Sequence, residues 1–140
     1  MNTPIEETLV LVKPDGVARN LTGEILRRIE AKGYSLVDLK LVEPDRSLLA
    51  AHYAEHEGKP FFEPLVEFME SGPIVAFRIA GNRVIEGFRA LAGTTDPTTA
   101  APGTIRGDLG RDWGSKVQQN LVHGSDSPES AARELALWFD

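Results

Sequence analysis

The sequence predicts an α/β sandwich in which a four-stranded antiparallel sheet is covered by helices. Three observations carry the prediction. Short apolar runs of strand type alternate with stretches of helical period along the whole chain. The order reads β-α-β-(αα)-β-α-loop-β-α, two βαβ-like halves, with too few connections for a doubly wound sheet. This matches the split βαβ, ferredoxin-like motif. Finally, 140 residues, 41% hydrophobic and 26% charged, suit one globular domain over 1–140, with no repeat, low-complexity tract or linker to divide it.

The elements follow in order. Thr8 to Val12 is β-branched and apolar and stops at Lys13-Pro14-Asp15-Gly16, a buried strand ending in a Pro-Asp-Gly turn. Leu21, Ile25, Leu26 and Ile29 recur at helical spacing, and Gly33 closes that helix. Tyr34 to Val42 alternates as a second strand. Asp45 or Ser47 caps a helix reaching about Glu55, with Leu48, Leu49 and Tyr53 on one face. Phe61, Leu65, Phe68 and Met69 mark another helix, ended by Ser71-Gly72-Pro73. Ile74 to Ile79 is the third strand, and Val84, Phe88, Leu91 and Ala92 form a helix closed by Gly93. Thr94 to about Gln119 lacks periodicity and reads as one long irregular loop, of the kind that carries function. Leu121 to His123 is a short last strand. Ser127-Pro128 then opens a helix with proline at its first position and an apolar stripe of Ala131, Leu135 and Trp138.

Composition removes whole classes of chemistry. Without cysteine there is no disulfide, no thiol catalysis and no thiolate-bound metal. The apolar run near the start, Leu9 to Val12, is too short for a signal peptide or membrane span, so a cytoplasmic location is expected. A net charge of −6 makes specific nucleic-acid binding a poor reading, since that affinity rests on neutralising phosphates. The charge is uneven, however. Residues 72–125 carry +2 and the remainder −8, so a small anion is best received in that segment.

No glycine-rich phosphate loop of either common type occurs, so a phosphate site here has to be built from side chains. Lys13 at a strand end, beside a rigid turn, is placed to hold a phosphate as a point charge. Arg106 stands between glycines in the long loop and Arg89 on the helix before it; together they would clamp a polyphosphate with forked hydrogen bonds. His52 and His56 stand at i and i+4, but no third ligand follows at a useful spacing, and a solvated helix face is the preferred reading over zinc. His123 differs. It ends an apolar run, is followed by glycine, and lies next to a helix N-terminus, where negative charge is favoured.

The motifs KPDG at 13–16, HYAEHEGKPFF at 52–62, SGP at 71–73, PGTIRGD at 102–108, NLVHGSDS at 120–127 and LWF at 137–139 together resemble nucleoside diphosphate kinase. The resemblance runs from about Glu7 to Phe139. It implies that His123 takes the terminal phosphoryl group of a nucleoside triphosphate and passes it to a diphosphate, by ping-pong kinetics and with broad base specificity. It places Lys13, Arg89, Thr95 and Arg106 on the phosphates, and Asn120 with Lys13 at the ribose 3′-hydroxyl. Phe61 would stack on the base with Val117 opposite. Tyr53 would position the lysine and histidine; Glu134 would orient the imidazole, with Ser125 beside it. Mg²⁺ is expected on the nucleotide phosphates, with Asp126 reaching it through water.

The resemblance also implies a homo-oligomer, a hexamer with a tetramer as the alternative. The loop from Thr94 to Arg106, stiffened by Pro97 and Pro102, would pack near a threefold axis. The span between Arg106 and His123 is longer than the family usually shows. Its extra segment, Leu109 to Gln118, carries Trp113, expected to be buried between subunits or against its own domain. Asn20 stands where the family often has glycine, and asparagine tolerates a positive φ there. The sequence ends at Asp140, where longer members continue with a tail that adds subunit contacts. A non-catalytic nucleotide sensor is the competing reading; it gives no reason for His123, Lys13, Arg106 and Glu134 to occur together.

Overall fold

A computed structural model describes residues 4–139, so Asp140 lies outside the described residues. Strand β1 (Ile5–Val12) is flanked by β3 (Ile74–Asn82) and the three-residue β4 (Val122–Gly124), and β2 (Ser35–Val42) pairs with the far side of β3. The sheet order is β2-β3-β1-β4, with every pairing antiparallel. This is the predicted split βαβ arrangement.

The continuous apolar run of β1 has a simple cause: both of its faces are covered. Val10 and Val12 point into one core with Ile25, Phe77, Ile79 and Phe88; Leu9 and Leu11 point into the other with Leu49, Val66, Met69 and Trp138. All four β1 side chains have no exposure, which makes each worth about 2 kcal/mol of burial. The first core lies under α2 (Thr22–Lys32) and α5 (Val84–Ala92). The second lies under α3 (Arg46–His52), α4 (Phe62–Met69) and α7 (Pro128–Phe139). Gly33 closes α2 at φ 106°, as its position in the apolar pattern predicts. Asn20 takes φ 59°, the left-handed turn that asparagine was expected to tolerate. Pro128 is the first residue of α7, and the Ser127 hydroxyl accepts from Ser130 N–H.

The structure corrects four expectations. Lys13-Pro14-Asp15-Gly16 is not a turn but the start of a short helix, α1 (Pro14–Ala18); proline at a first helical position presets φ and needs no N–H. The third helix ends at His52, and a 3₁₀ turn over Ala54–His56 replaces its expected last residues. The long loop contains α6 (Ile105–Leu109), capped by the Thr104 hydroxyl accepting from Gly107 N–H at 3.0 Å. Arg19 donates to the Leu109 carbonyl at 2.7 Å and Arg28 pairs with Asp108 at 2.8 Å, tying this turn to the first two helices. Lastly, Trp113 is not buried against its own domain. It is 49% exposed, with the guanidiniums of Arg111 and Arg19 over its ring at 4.2 and 5.7 Å.

Candidate active site

The pairing of β4 with β1 sets His123 opposite Leu11, on the face covered by α3 and α7. The approach to β4 is held by a buried carboxylate. Asp15 accepts from the Leu121 N–H at 3.1 Å, and Lys13 N–H donates to the Leu121 carbonyl at 2.8 Å. These bonds hold Leu121 at φ 72°, a conformation that costs a branched residue of order 1 kcal/mol or more. The strained residue separates Asn120 from Val122 and turns both Asn120 and His123 into the site.

Glu134 on α7 reaches His123 Nε2 at 2.7 Å and accepts from the buried Ser125 hydroxyl at the same distance. Burial alone would raise the carboxyl pKa of Glu134, but the hydrogen bonds and charge of His123 and the Ser125 hydroxyl bring it below its ordinary value. An ionised carboxylate only accepts. Nε2 therefore carries the imidazole proton, and Nδ1 keeps its lone pair.

A cavity of about 390 Å³ opens beside β4, lined by Arg89, Thr94, Thr95, Thr104 and Arg106 among others. Arg106 is anchored on three carbonyls: Nε donates to Asn120, Nη1 to Gly93 and Nη2 to Val122, at 2.7–3.0 Å. Burial and the neighbouring Arg89 charge lower its pKa to about 10, still fully charged at neutral pH. Arg89 donates to the Gly124 carbonyl at 3.1 Å. Lys13 Nζ donates to Asn120 Oδ1 at 2.8 Å, and Asn120 Nδ2 donates to the Thr95 carbonyl at 3.1 Å. Desolvation, then the Arg106 charge, lowers the Lys13 ammonium to about 8. The lysine, two arginines and asparagine of the sequence reading thus form one cationic cluster.

Phe61 and Val117 line a second cleft, together with Lys13, Thr95 and Asn120, so both cavities share Thr95. Half-exposed Phe61 offers a ring face that a planar base can cover. The extra segment is shaped around Val117: its carbonyl accepts from Ser115, and Gln118 donates to Asp96. Asp126 is exposed and lines a neighbouring recess with Arg89, Arg83 and Glu86. Tyr53 packs its ring edge-on against His52 at 4.6 Å, so its path to His123 runs through His52.

The sequence model of the family described as Nucleoside diphosphate kinase matches residues 6–140. A nucleoside diphosphate kinase of Mycolicibacterium vanbaalenii is 62% identical over 135 residues, 96% of each chain. One from Streptomyces avermitilis is 59% identical over the same length and coverage. Among solved structures, a halophilic nucleoside diphosphate kinase from Halobacterium salinarum in complex with CDP superposes with a TM-score of 0.91 at 48% identity, covering 98% of this chain and 89% of that one.

The chain belongs to the nucleoside diphosphate kinase family. It is a phosphotransferase acting on nucleotides. In this family member, sequence reasoning missed the surroundings of His123. His52 does not lie on a solvated face: it is 3% exposed, with its ring 4.7 Å from that of His123. The signal was present, since His52 follows Leu48 by four residues and Leu49 by three, the spacing of a shared helix face. Asp15 and Arg133 were also missed. Arg133 donates to the Ala51 and His52 carbonyls and pins α7 to α3.

His52, His123 and Glu134 bring three ligand-type atoms within 4.8 Å of one another. The protonation pattern argues against a metal there. The Trp138 indole N–H donates to His52 Nδ1 at 3.0 Å, so the other nitrogen of His52 carries its proton. The His123 nitrogen facing Glu134 carries one too. Both rings would have to shift their protons and give up these bonds before those nitrogens could bind an ion.

Proposed function

We propose that this chain transfers the terminal phosphoryl group of a nucleoside triphosphate to a nucleoside diphosphate by a ping-pong mechanism through His123. The observation that carries the reading is the Glu134–His123 bond, which leaves Nδ1 unprotonated on a residue whose two neighbours, Val122 and Gly124, hold Arg106 and Arg89 by their carbonyls. The Nδ1 lone pair attacks the terminal phosphorus, a P–N bond forms, and the P–O bond to the next phosphate breaks with its electron pair leaving on the diphosphate. The imidazole gains positive charge, which the Glu134 carboxylate stabilises. The second half-reaction reverses these steps with a different diphosphate, and the histidine never needs a separate base.

Lys13, Arg89, Thr95 and Arg106 bind the phosphates, and Asn120 with Lys13 binds the ribose 3′-hydroxyl. Positioning and charge stabilisation dominate phosphoryl transfer, and this cluster supplies both. Phe61 and Val117 sandwich the base without a hydrogen-bond code, which gives broad base specificity. The bound CDP of the Halobacterium salinarum structure supports a diphosphate as acceptor. The phosphate cavity is lined by arginines, threonines and backbone, with no carboxylate among its lining residues. That donor set fits Mg²⁺ carried in on the nucleotide phosphates, and Asp126, in the recess that shares Arg89 with this cavity, would hold it through water. The ion supplies charge neutralisation on the phosphate oxygens.

The chain acts as a single domain, a homo-oligomer (a hexamer, or alternatively a tetramer) in the cytoplasm. The exposed apolar edge of β2 supports assembly, and no helix among the described residues is long and apolar enough to cross a membrane. Incubation with γ-labelled ATP alone tests the mechanism: acid-labile label is expected on the wild type and not on His123→Ala, which still binds ADP. Turnover of His123→Ala above about 1% of wild type, a deficit of only ~2.7 kcal/mol, removes His123 from the role.

A further inference from the structure

We propose that His52 is a positioning residue for His123, kept neutral and held in one tautomer by the Trp138 indole. This rests on the phosphohistidine reading above. An indole N–H can only donate, so the 3.0 Å bond from Trp138 Nε1 makes His52 Nδ1 an acceptor and leaves the proton on Nε2. Both side chains are buried, at 1% and 3% exposure, and water does not compete for this bond. The His52 ring meets His123 at 4.7 Å with an interplanar angle of 75°, an edge contact that restricts rotation of the reacting imidazole. On its other sides it meets Tyr53 at 4.6 Å and Trp138 at 5.7 Å, each close to perpendicular. The ring is therefore clamped between its own helix, α7 and β4.

Neutrality matters as much as orientation. His123 becomes positively charged when it takes the phosphoryl group, and a charged His52 in contact with it would oppose that step. The ionisable groups around His52 are His123 on β4, Glu134 and Arg133 on α7, and Lys13 after β1. Tyr53 follows it in the chain, just past the end of α3. Burial first, then the positive character of His123, Arg133 and Lys13, outweigh the Glu134 carboxylate and hold His52 down at about 3. Glu134 is already occupied by His123 and Ser125. A proton placed on His52 Nδ1 would also face the indole N–H, donor against donor.

Three measurements on the full chain test this. Nitrogen-15 NMR of the wild type is expected to show His52 as the neutral Nε2–H tautomer down to about pH 5; the Nδ1–H tautomer or a cation overturns the proposal. Trp138→Phe keeps a ring and removes the donor. Its nitrogen-15 spectrum is expected to show His52 still neutral but divided between the Nε2–H and Nδ1–H tautomers, because the ring stays buried while the donor that fixed its proton is gone. A single Nε2–H tautomer of His52 retained in folded Trp138→Phe overturns the proposal. His52→Gln preserves an acceptor for the indole but not the ring edge. It is expected to slow phosphorylation about tenfold with ADP affinity within about twofold of wild type, and a wild-type rate overturns the proposal. Failure of the underlying reading looks different: the wild type itself then takes no label on His123.

Discussion

Three of the five N–H donors of Arg106 are already directed at carbonyls of Gly93, Asn120 and Val122, so this residue holds the site together before any nucleotide arrives. Arg106→Ala is therefore expected to reduce stability as well as rate. Losing charged hydrogen bonds to three carbonyls in this partly buried setting costs about 2–4 kcal/mol, read as a lower urea midpoint. The rate of phosphoryl transfer should fall further than the affinity for diphosphate, because in the proposed mechanism the remaining donors act on the transferring group. Equal losses in both would mark Arg106 as a uniform binding group. Lys13 gives the pH dependence. Its ammonium titrates at about 8, so the free protein loses this charge as pH rises through that value. A bound phosphate favours the charged form, and binding above pH 8 must take up a proton. ADP affinity is expected to be flat below about pH 7 and to fall up to tenfold per unit above about 8. In Lys13→Arg the limb should vanish, whatever the absolute affinity. A profile that stays flat to about pH 9.5 in the wild type rules out Lys13 as the group holding the phosphate.

At the level of elements, the site is a meeting of β4 with α5 and α7, and one glycine sets the first distance. A Cβ on Gly124 would lie 2.6 Å from Phe88 Cδ2 and 3.8 Å from Arg89 Cγ. Phe88 is fully buried and has nowhere to retreat, so Gly124→Ala has to push α5 outward and carry Arg89 with it. The expected outcome is a loss of about 1–3 kcal/mol, seen in the melting temperature, together with weaker diphosphate binding. Unaltered binding in the destabilised variant would mean that Arg89 is not placed by this contact. Helix α7 sets the second distance through three of its residues. Arg133 fixes α3, Glu134 orients His123, and Trp138 holds His52. The long elements were legible because their apolar patterns record burial directly, a continuous run in β1 and a helical period in α2. The two five-residue helices were not: α1 and α6 are too short to show a period. Their signals, Pro14 at a first position and Thr104 as a cap, read equally well as turns.

Across the whole molecule, the residue types of the site were legible while their assembly was not. Lys13 and Asn120 are 107 positions apart, and only the return of β4 alongside β1 brings them to 2.8 Å. The motif resemblance supplied what local pattern cannot, and burial of His52 went unread although its helical spacing encoded it. Assembly is the last property at this scale. Strand β2 is an edge strand, yet Val37, Leu39 and Leu41 are 51%, 47% and 67% exposed on it, with Ile5 at 66% nearby. The register of β2 on β3 shifts between Leu36 and Asp38, so Leu39 and Leu41 share a face as an apolar stripe and Val37 lies at the irregularity beside them. An isolated soluble chain blunts such an edge with charge or covers it, since it invites pairing. Here Asp38 and Lys40 fall on the opposite face and leave the stripe apolar. A second copy is the expected cover, and Trp113 on the remote loop offers a second contact for building beyond a dimer. Light scattering at micromolar concentration is expected to give a mass near six times the 15.3 kDa chain, with four times selecting the tetramer. Val37→Lys with Leu41→Lys should drive the mass downward without changing the sheet, because both side chains are more than half exposed. A wild-type mass near that of one chain would leave the β2 stripe without its second copy and would reject assembly altogether.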